Sequence, residues 1–263
     1  MYDPGEVEHA SAKGSLKWRK FLSHVIEKKA FVLFFQPVIS AIDERILHHE
    51  VLSKVRDSDG SLISARVFLP MAKKCGLSQK IDLLVFKQVC RLLTYDDNQN
   101  DHCSLNLSIE SLLSDEFIKQ FLNVLKEYPN IHEKLIIEIS EYHLVNHLEQ
   151  LNQSLTVLHQ LGIKLLADKV GQYVVSAQYL KVCPIQSIKL HRSIVLNIHR
   201  KTENQIFIQS LKAISDVQNV EVYALGVENI DEWQTLKRLG VNGGQGHFFT
   251  EPVAQVAKAI HLP

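Results

Sequence analysis

The sequence predicts a single α/β domain that folds as a TIM-like (β/α)8 barrel. Three observations support this prediction. The chain has 263 residues, a size that suits one barrel of this kind. About eight short apolar runs have the length and composition of β-strands. Amphipathic stretches with helical spacing separate these runs, and such alternation is typical of βαβ units with right-handed crossovers.

The first part of the chain is predicted to lead from a polar segment into a helix and two strands. Residues 1–14 contain Pro4, Gly5 and Gly14 and are interpreted as a flexible lead-in or linker remnant, which leaves 15–263 as the domain. The elements predicted next are a helix from Ser15, a strand over 31–35 ended by Pro37, a strand over 45–54, a turn at 57–60, and helices over 67–74 and 81–93.

After residue 100, strands and helices alternate. The predicted strands are 104–107, 135–139, 163–168, 187–190, 220–224 and 241–246. The helical stretches between them include 115–127, 144–160, 203–215 and 231–239. In a barrel built this way, functional side chains lie at the carboxyl ends of the strands.

Composition excludes several classes of function. Lys plus Arg (29) balances Asp plus Glu (29), so no global charge attracts nucleic acid or membrane. The four cysteines have no CxxC spacing, which disfavours a zinc site. The longest apolar runs are far too short to span a bilayer, and no signal peptide is evident, so we expect this segment to be soluble.

One stretch directs attention to a possible active site. The apolar run Leu165-Leu166-Ala167 ends in Asp168-Lys169, as a buried strand does when it delivers side chains to the functional face. A two-metal phosphodiester hydrolase would need two adjacent carboxylates here. An ammonium about 4 Å from a divalent ion would repel it by roughly 8 kcal/mol at an effective dielectric of about 20. We therefore expect Lys169 to form an internal salt bridge with Asp168, Glu138 or Glu50.

Polar residues recur at the ends of the other predicted strands. A single polar residue at such a position usually serves a loop, but a series of them predicts a polar pocket. The residues at these strand ends are Glu50, Asn106, Glu138 with Glu141, Asp168 with Lys169, Lys189, Leu225 and Gln245, and all of them except Leu225 are polar.

This ordered series resembles the EAL domain, a barrel family that hydrolyses cyclic di-GMP. The resemblance covers roughly residues 31–254 and rests on Phe35-Gln36-Pro37-Val38, Glu50-Val51-Leu52, Asn106-Leu107-Ser108, Glu138-Ile139-Ser140-Glu141, Asp168, Lys189, Gly226-Val227-Glu228 and Gln245-Gly246. It implies an EAL-type barrel in which the positions of Glu50, Asn106, Glu138 and Asp168 are metal ligands in active members. The position of Lys189 would orient water.

Four positions depart from the pattern of active members. Lys169 replaces the second Asp, and Leu225 replaces a Glu, so two metal ligands are missing. His191 replaces an Asp, and Lys54 replaces a nucleotide-binding Arg. The loop after the strand reads Gln172-Tyr173-Val174-Val175 instead of being rich in Gly, Thr and Ser. The resemblance is therefore to a degenerate EAL domain, for which we expect no catalysis, no metal and no cofactor.

Other segments resemble the CsrD (MshH) branch of degenerate EAL proteins. They include Lys17-Trp18-Arg19, His48-His49-Glu50, Glu232-Trp233-Gln234 and Gly243-Gly244-Gln245-Gly246-His247. This branch promotes RNase E-dependent decay of Csr small RNAs and binds the unphosphorylated enzyme IIA of the glucose phosphotransferase system. The resemblance implies a cytoplasmic domain of a protein anchored in the inner membrane, acting through protein–protein contact.

Two alternatives remain at this point. One is a cyclic di-GMP receptor that binds without hydrolysis, although Lys54 in place of Arg cannot form a bidentate phosphate clamp. The other is a weak phosphodiesterase, disfavoured by the missing ligands. The 13 histidines form no metal-binding array, and the basic run over 181–201 is interpreted as a solvated face rather than an RNA-binding patch.

Overall fold

Eight strands close into a barrel in the computed structural model, which describes residues 14–94 and 101–257. The strands of this part of the chain are β1 (Phe31–Ser40), β2 (Ile46–Arg56), β3 (Leu62–Ser64), β4 (Cys103–Asn106), β5 (Leu135–Ser140), β6 (Lys164–Val170), β7 (Ser187–Leu190), β8 (Glu221–Leu225) and β9 (Gly243–Gln245). The sheet order is β1-β9-β8-β7-β6-β5-β4-β2, and pairing of β1 with β2 closes the ring. Strand β3 extends the sheet beside β2. The predicted barrel is confirmed, while the predicted lead-in lies outside the described residues except for Gly14.

Helices cover the outside of the barrel. Those described are α1 (Ser15–Lys28), α2 (Ala65–Lys74), α3 (Ser78–Thr94), α4 (Ile109–Leu112), α5 (Asp115–Glu127), α6 (Glu141–Asn146), α7 (Leu148–Gln160), α8 (Tyr179–Val182), α9 (Arg192–Val195), α10 (Thr202–Val217) and α11 (Ile230–Arg238), with short 3-10 turns at His132–Lys134 and Ile198–Arg200. The helix predicted over 144–160 is interrupted at His147, which leaves helical geometry with φ −130°. Among these described helices, none is both long and apolar enough to cross a membrane.

The first strand departs from a uniformly parallel barrel. Strand β1 runs antiparallel to both β2 and β9, whereas β2 and β4 to β9 follow one another in parallel. The reason lies in the connection, because only a short turn separates Ser40 from Ile46. A parallel pairing needs a crossover of a dozen or more residues, so this short connection forces a hairpin.

The prediction that Pro37 ends the first strand is wrong. Strand β1 continues to Ser40, with Pro37 opposite His49. In an antiparallel pair, neighbouring residues alternate in pointing their amides toward the partner strand. The amide of His49 donates to His102, and the amide of Phe35 donates to Val253, so both point away from the β1–β2 ladder. Pro37 shares the orientation of Phe35, and its missing N–H removes no ladder bond.

Apolar residues fill three regions of the fold. The largest cluster lies between the strands and the surrounding helices. A second joins α1 to the extended β1–β2–β3 sheet, where Trp18, Leu22 and Phe68 are fully buried. The third forms a layer of Val38, Ile136, Leu166 and Tyr223. Ile136 precedes Glu138 by two residues on β5, so this apolar layer lies below the polar carboxyl ends of the strands.

Candidate functional site at the carboxyl ends of the strands

Lys189 is the centre of a buried group of polar side chains. Strand β7 places it wholly inside the barrel, with no solvent exposure. Its Nζ donates to Glu50 Oε2 and to Glu138 Oε1, each at 2.8 Å. Lys189 belongs to the basic run predicted as a solvated face, and for this residue that interpretation is wrong. We call Glu50, Asn106, Glu138, Asp168, Lys189 and Gln245 the strand-end cluster.

Glu50 is the most completely paired carboxylate of the cluster. Asn106 Nδ2 donates to Glu50 Oε1 at 3.1 Å, and Gln245 Nε2 donates to Glu50 Oε2 at 3.0 Å. Burial alone would raise the pKa of this carboxyl. The Lys189 ammonium and these donors outweigh burial and lower the pKa below its ordinary value. Glu50 is therefore ionised at neutral pH.

Glu138 lies in a different electrostatic environment. Its Oε1 accepts hydrogen bonds from Lys189 and, at 2.5 Å, from Ser104 Oγ. Burial raises the pKa of Glu138 to about 8, and the charges of Glu50 and Asp168 act in the same direction. Lys189 opposes this shift but is shared with Glu50. One ammonium thus serves several carboxyls, and a proton on Glu138 supplies the missing neutralisation at neutral pH.

Asp168 completes the cluster and accepts a hydrogen bond from the backbone of Lys169, while no described side chain donates to its Oδ1. It is 5 % exposed, and its Oδ1 accepts no hydrogen bond from the described part of the chain. Burial raises the pKa of this carboxyl, against the attraction of Lys189. The pKa of Lys189 itself is raised, because the carboxyls around it outweigh the effect of burial.

The prediction that Lys169 forms an internal salt bridge is wrong. Its side chain is exposed, and within residues 14–94 and 101–257 no carboxylate pairs with it. The pairing of β6 with β7 is irregular between Ala167 and Val170, and Lys169 adopts a left-handed conformation with φ +60°. Such an irregularity redirects side chains. Lys169 consequently lies on the rim of the barrel, beside Tyr142 and Tyr173.

Glu141 was predicted as a residue of the pocket, but its hydrogen bonds hold the loop that follows β6. It begins α6, and its two carboxylate oxygens accept hydrogen bonds from the Gly171 amide at 3.0 Å and the Tyr179 hydroxyl at 2.9 Å. Burial raises the pKa of this carboxyl. Glu141 therefore fixes the loop that follows β6 instead of joining Lys189.

The other substituted positions surround the cluster. Lys54 lies on β2 with its Nζ 4.4 Å from the centre of the Phe34 ring, a cation–π geometry. His191 precedes α9, where its Nδ1 lies 2.9 Å from Ser193 Oγ, and burial lowers the pKa of its imidazole. Leu225 ends β8 opposite Gln245 and carries no group that could bind a metal.

Two members of the hydrogen-bond network were missed as site residues. Ser104 donates to Glu138, and Gln36 Oε1 accepts from Gln245 Nε2 at 3.2 Å. The signal for Ser104 was present in the sequence, because it precedes Asn106 by two residues and strands have a period of two. The position of Gln36 required the antiparallel register of β1, which places it opposite Glu50.

The residues present supply only part of the ligand set of active EAL domains, because Lys169 and Leu225 stand where two carboxylates would be. Lys189 already bridges Glu50 and Glu138, and both oxygens of Glu50 accept hydrogen bonds from side chains. In the residues that the structure describes, no three His, Cys, Asp or Glu side chains come together in a way that could hold a metal ion. Three buried acceptor oxygens of the cluster, Glu138 Oε2, Asp168 Oδ1 and Gln245 Oε1, have no hydrogen-bond partner among the described residues, so the chain satisfies this network only in part.

Comparison with known families identifies the fold family. The model of the EAL domain matches residues 19–252. The chain is an EAL domain. It is 29 % identical over 250 residues to the RNase E specificity factor CsrD of Escherichia coli, covering 95 % of this chain and 38 % of CsrD. It is 24 % identical over 256 residues to the cyclic di-GMP phosphodiesterase PdeB of Shewanella oneidensis, covering 96 % of this chain and 30 % of PdeB.

Solved structures agree with this assignment. The EAL domain of FimX from Pseudomonas aeruginosa, in a crystal structure bound to c-di-GMP, superposes with a TM-score of 0.85 at 27 % identity, covering 92 % of this chain and 98 % of the crystallised EAL domain. The resemblance to EAL domains and to CsrD is thereby confirmed. This EAL domain spans well under half the length of CsrD and PdeB.

Removing the central ammonium should destabilise the fold. Lys189→Met keeps most of the volume but leaves Glu50 buried without a counter-charge, so we expect a loss of about 3–5 kcal/mol in the free energy of unfolding. The measurement is urea unfolding at neutral pH. Lys169→Met is the matched control, because that side chain is solvated, and it should change stability by less than about 0.5 kcal/mol. Equal effects of the two substitutions would contradict the central role of Lys189.

Glu138 should make stability depend on pH. Its pKa is 4.5 as the ordinary value and about 8 in the fold. Between pH 4.5 and about 8 the folded protein holds a proton on Glu138 that the unfolded chain releases. The contribution of this proton to the free energy of unfolding is complete below pH 4.5 and is lost as pH rises through about 8. Glu138→Gln cannot titrate, and wild-type stability should therefore fall relative to this variant over that range. Denaturant unfolding of wild type and Glu138→Gln, from pH 4.5 to about 8, measures this difference in stability.

The exposed Glu133→Gln is the control for this experiment. Its stability should follow the wild-type curve across the same range. If the curves of wild type and Glu138→Gln run parallel, the proton does not reside on Glu138.

Proposed function

We propose that this EAL domain is a non-catalytic regulatory domain that acts by contact with other proteins, within a protein similar to CsrD. The observation that carries the proposal is the lack of two carboxylates at the strand ends, where Lys169 lies exposed on the rim and Leu225 carries no group that could bind a metal. CsrD is named as an RNase E specificity factor. By this similarity the whole protein would promote RNase E-dependent decay of small RNAs.

The argument against catalysis rests on missing ligands rather than on repulsion by Lys169. Because the Lys169 ammonium is exposed, water screens it, and the strong repulsion expected from the sequence does not apply. What remains is the absence of carboxylates at positions 169 and 225. A metal-dependent hydrolase needs its ions for Lewis acidity and for an activated water. This chain keeps Glu50, Asn106, Glu138 and Asp168 but lacks the two further ligands, so its ligand set is incomplete.

A cyclic di-GMP receptor without hydrolysis is the second candidate. It is favoured by the structural similarity to the FimX EAL domain, whose structure is bound to c-di-GMP. It is disfavoured at Lys54, which packs over Phe34 and presents a single ammonium where an Arg would offer a bidentate fork. Without metals or that fork, little positive charge remains to bind two phosphates, and we expect cyclic di-GMP binding to be absent.

We propose that a partner protein contacts a surface beside the rim of the barrel. Tyr142 and Tyr173 are each about half exposed, with ring centres 5.5 Å apart, and Val174 is fully exposed. Exposed aromatic and aliphatic groups that lie together are typical of interaction sites. Glu141 fixes the adjoining Gly171, so this surface is attached to a rigid support. We call Tyr142, Tyr173 and Val174 the rim patch.

The partner proposed for the rim patch is the unphosphorylated enzyme IIA of the glucose phosphotransferase system. This follows from the similarity to the CsrD branch, as does the proposed place of the domain on the cytoplasmic side of an inner-membrane protein. Contact with RNase E or with the small RNAs would then involve the full-length protein.

We expect no turnover of cyclic di-GMP. Purified domain with excess Mg²⁺ or Mn²⁺ should leave the nucleotide intact, because Lys169 and Leu225 remove two ligands. Chromatography of the reaction mixture measures the cyclic di-GMP that remains, with PdeB of Shewanella oneidensis as the positive control. Stoichiometric conversion to the linear dinucleotide would contradict the proposal. Calorimetry of the same samples separates the alternatives, since a saturable one-to-one isotherm without turnover would favour the receptor.

We expect the domain to bind unphosphorylated enzyme IIA and not its phosphorylated form. Titration by calorimetry should give saturable binding only for the unphosphorylated protein. Val174→Asp, which adds a charge to the rim patch, should weaken that binding by at least about tenfold, or about 1.4 kcal/mol.

Val217→Asp is the matched control for the partner titration. Val217 is 78 % exposed at the end of α10, outside the rim patch, so its substitution should leave the affinity unchanged. Equal affinity for both forms of enzyme IIA, or equal effects of the two substitutions, would contradict the proposed contact.

A further inference from the structure

A cavity opens at the end of the barrel opposite the strand-end cluster. Its volume is about 490 Å³. It is lined near the starts of the strands, by residues that include Leu47, His48, Ile136, Ser187, Glu221 and Tyr223. The apolar layer that contains Ile136 and Tyr223 separates it from Lys189. The cavity is therefore distinct from the site at the carboxyl ends.

A buried histidine in the wall of this cavity has an unused nitrogen. His48 is 2 % exposed, and its Nε2 makes no hydrogen bond within the described residues. Its ring packs against Tyr223, with centres 5.4 Å apart. Burial lowers the pKa of His48 well below its ordinary value, and the charge of Lys189 adds to this effect. In the neutral tautomer with the proton on Nε2, this buried N–H lacks an acceptor among the described residues, which a ligand oxygen would supply.

Cationic and amide groups surround the opening. Lys164 begins β6 with an exposed side chain, and no carboxylate of residues 14–94 and 101–257 pairs with it. Arg45 also lines the cavity, although its Nε is 3.1 Å from Asp43. The side-chain amides of Gln186 and Asn219 lie at the same opening.

One carboxylate, Glu221, also lines the cavity. Its Oε2 accepts a hydrogen bond from the Tyr223 hydroxyl, so that oxygen is engaged within the protein. Asp43 balances Arg45 and Glu221 balances Lys164 in formal charge, so the site offers an anion the local ammonium of Lys164, unpaired among the described residues, rather than a net positive charge. Leu47 and Ile136 add apolar side chains to this lining, which is otherwise mostly polar and includes His102. A mostly polar lining suits a small ligand that carries a charged or polar group.

We propose that this cavity binds a small organic oxyanion, a phosphate monoester or a carboxylate, with the anionic group at Lys164 and one oxygen at His48 Nε2. The volume lies within the roughly 300–1,000 Å³ that small-molecule sites occupy. Gln186 fixes the wall at this point, because its Oε1 accepts from the Leu165 amide at 2.6 Å and its Nε2 lies 2.5 Å from His159 Nδ1.

Histidine-selective nitrogen NMR tests the proposal on the whole chain. The probes are inorganic phosphate, glycerol 3-phosphate and citrate, which separate phosphate from carboxylate and a bare anion from an organic one. The His48 imidazole signal, assigned through its backbone connection, should shift saturably with glycerol 3-phosphate or citrate and more weakly with inorganic phosphate. Lys164→Ala should reduce the affinity about tenfold, which corresponds to about 1.4 kcal/mol. Lys119→Ala, which removes an exposed lysine on α5, should leave it unchanged.

Three results would overturn the proposal. The first is the absence of a saturable His48 shift with any of the three probes at millimolar concentration. The second is equal affinity in wild type and Lys164→Ala, which would mean that the cationic opening does not hold the anion. The third is a His48 shift with zinc chloride but with no anion, which would mean that the histidine serves a metal. Lys164→Ala alters an exposed side chain, so the folded variant is available for this comparison.

Discussion

The rest of the site depends on the single ammonium of Lys189 inside the barrel. A buried charge is costly unless it is paired and hydrogen-bonded, and here Glu50 and Glu138 supply both conditions at 2.8 Å. The three residues come from β2, β5 and β7, so the interaction joins strands that do not all pair with one another. The desolvation of three ionisable groups offsets much of the Coulomb attraction. We therefore regard the cluster as a constraint on conformation, because separating its members would leave charges buried without partners.

That constraint also distributes charge and protons over the neighbouring carboxyls. Lys189 neutralises Glu50, which accepts further hydrogen bonds from Asn106 and Gln245. The raised pKa of Glu138 favours a proton on that carboxyl near neutral pH, and Asp168 is stabilised by the charge of Lys189 and a hydrogen bond from the Lys169 backbone. One ammonium and one proton are thus distributed over three carboxyls.

The sequence predicted the barrel and most of the cluster because both follow from short-range patterns. The alternation of strands with helices predicts the architecture, and polar residues at strand ends predict Glu50, Asn106, Glu138, Asp168, Lys189 and Gln245. The predictions for Lys169, Pro37 and Glu141 were wrong for one reason. The positions of these residues depend on local backbone geometry that leaves no pattern in the sequence. The irregular pairing of β6 turns Lys169 outward, and the hairpin register allows Pro37 inside β1. Glu141 has the residue type of a pocket acid, but the position of Gly171 decides its role.

Burial divides the positions of the EAL pattern into two groups with different evolutionary freedom. The retained acids, Lys189 and Gln245 are all buried, with Asn106 the exposed exception, whereas the substituted positions 54, 169, 191 and 225 are exposed or half-buried. A change at a buried member of the network would leave its partners uncompensated, so selection for folding alone preserves it. At exposed and half-buried positions fewer packed neighbours constrain the residue, so a substitution there costs little stability. The interior of this barrel is therefore maintained by the requirements of folding, whatever residues occupy its rim.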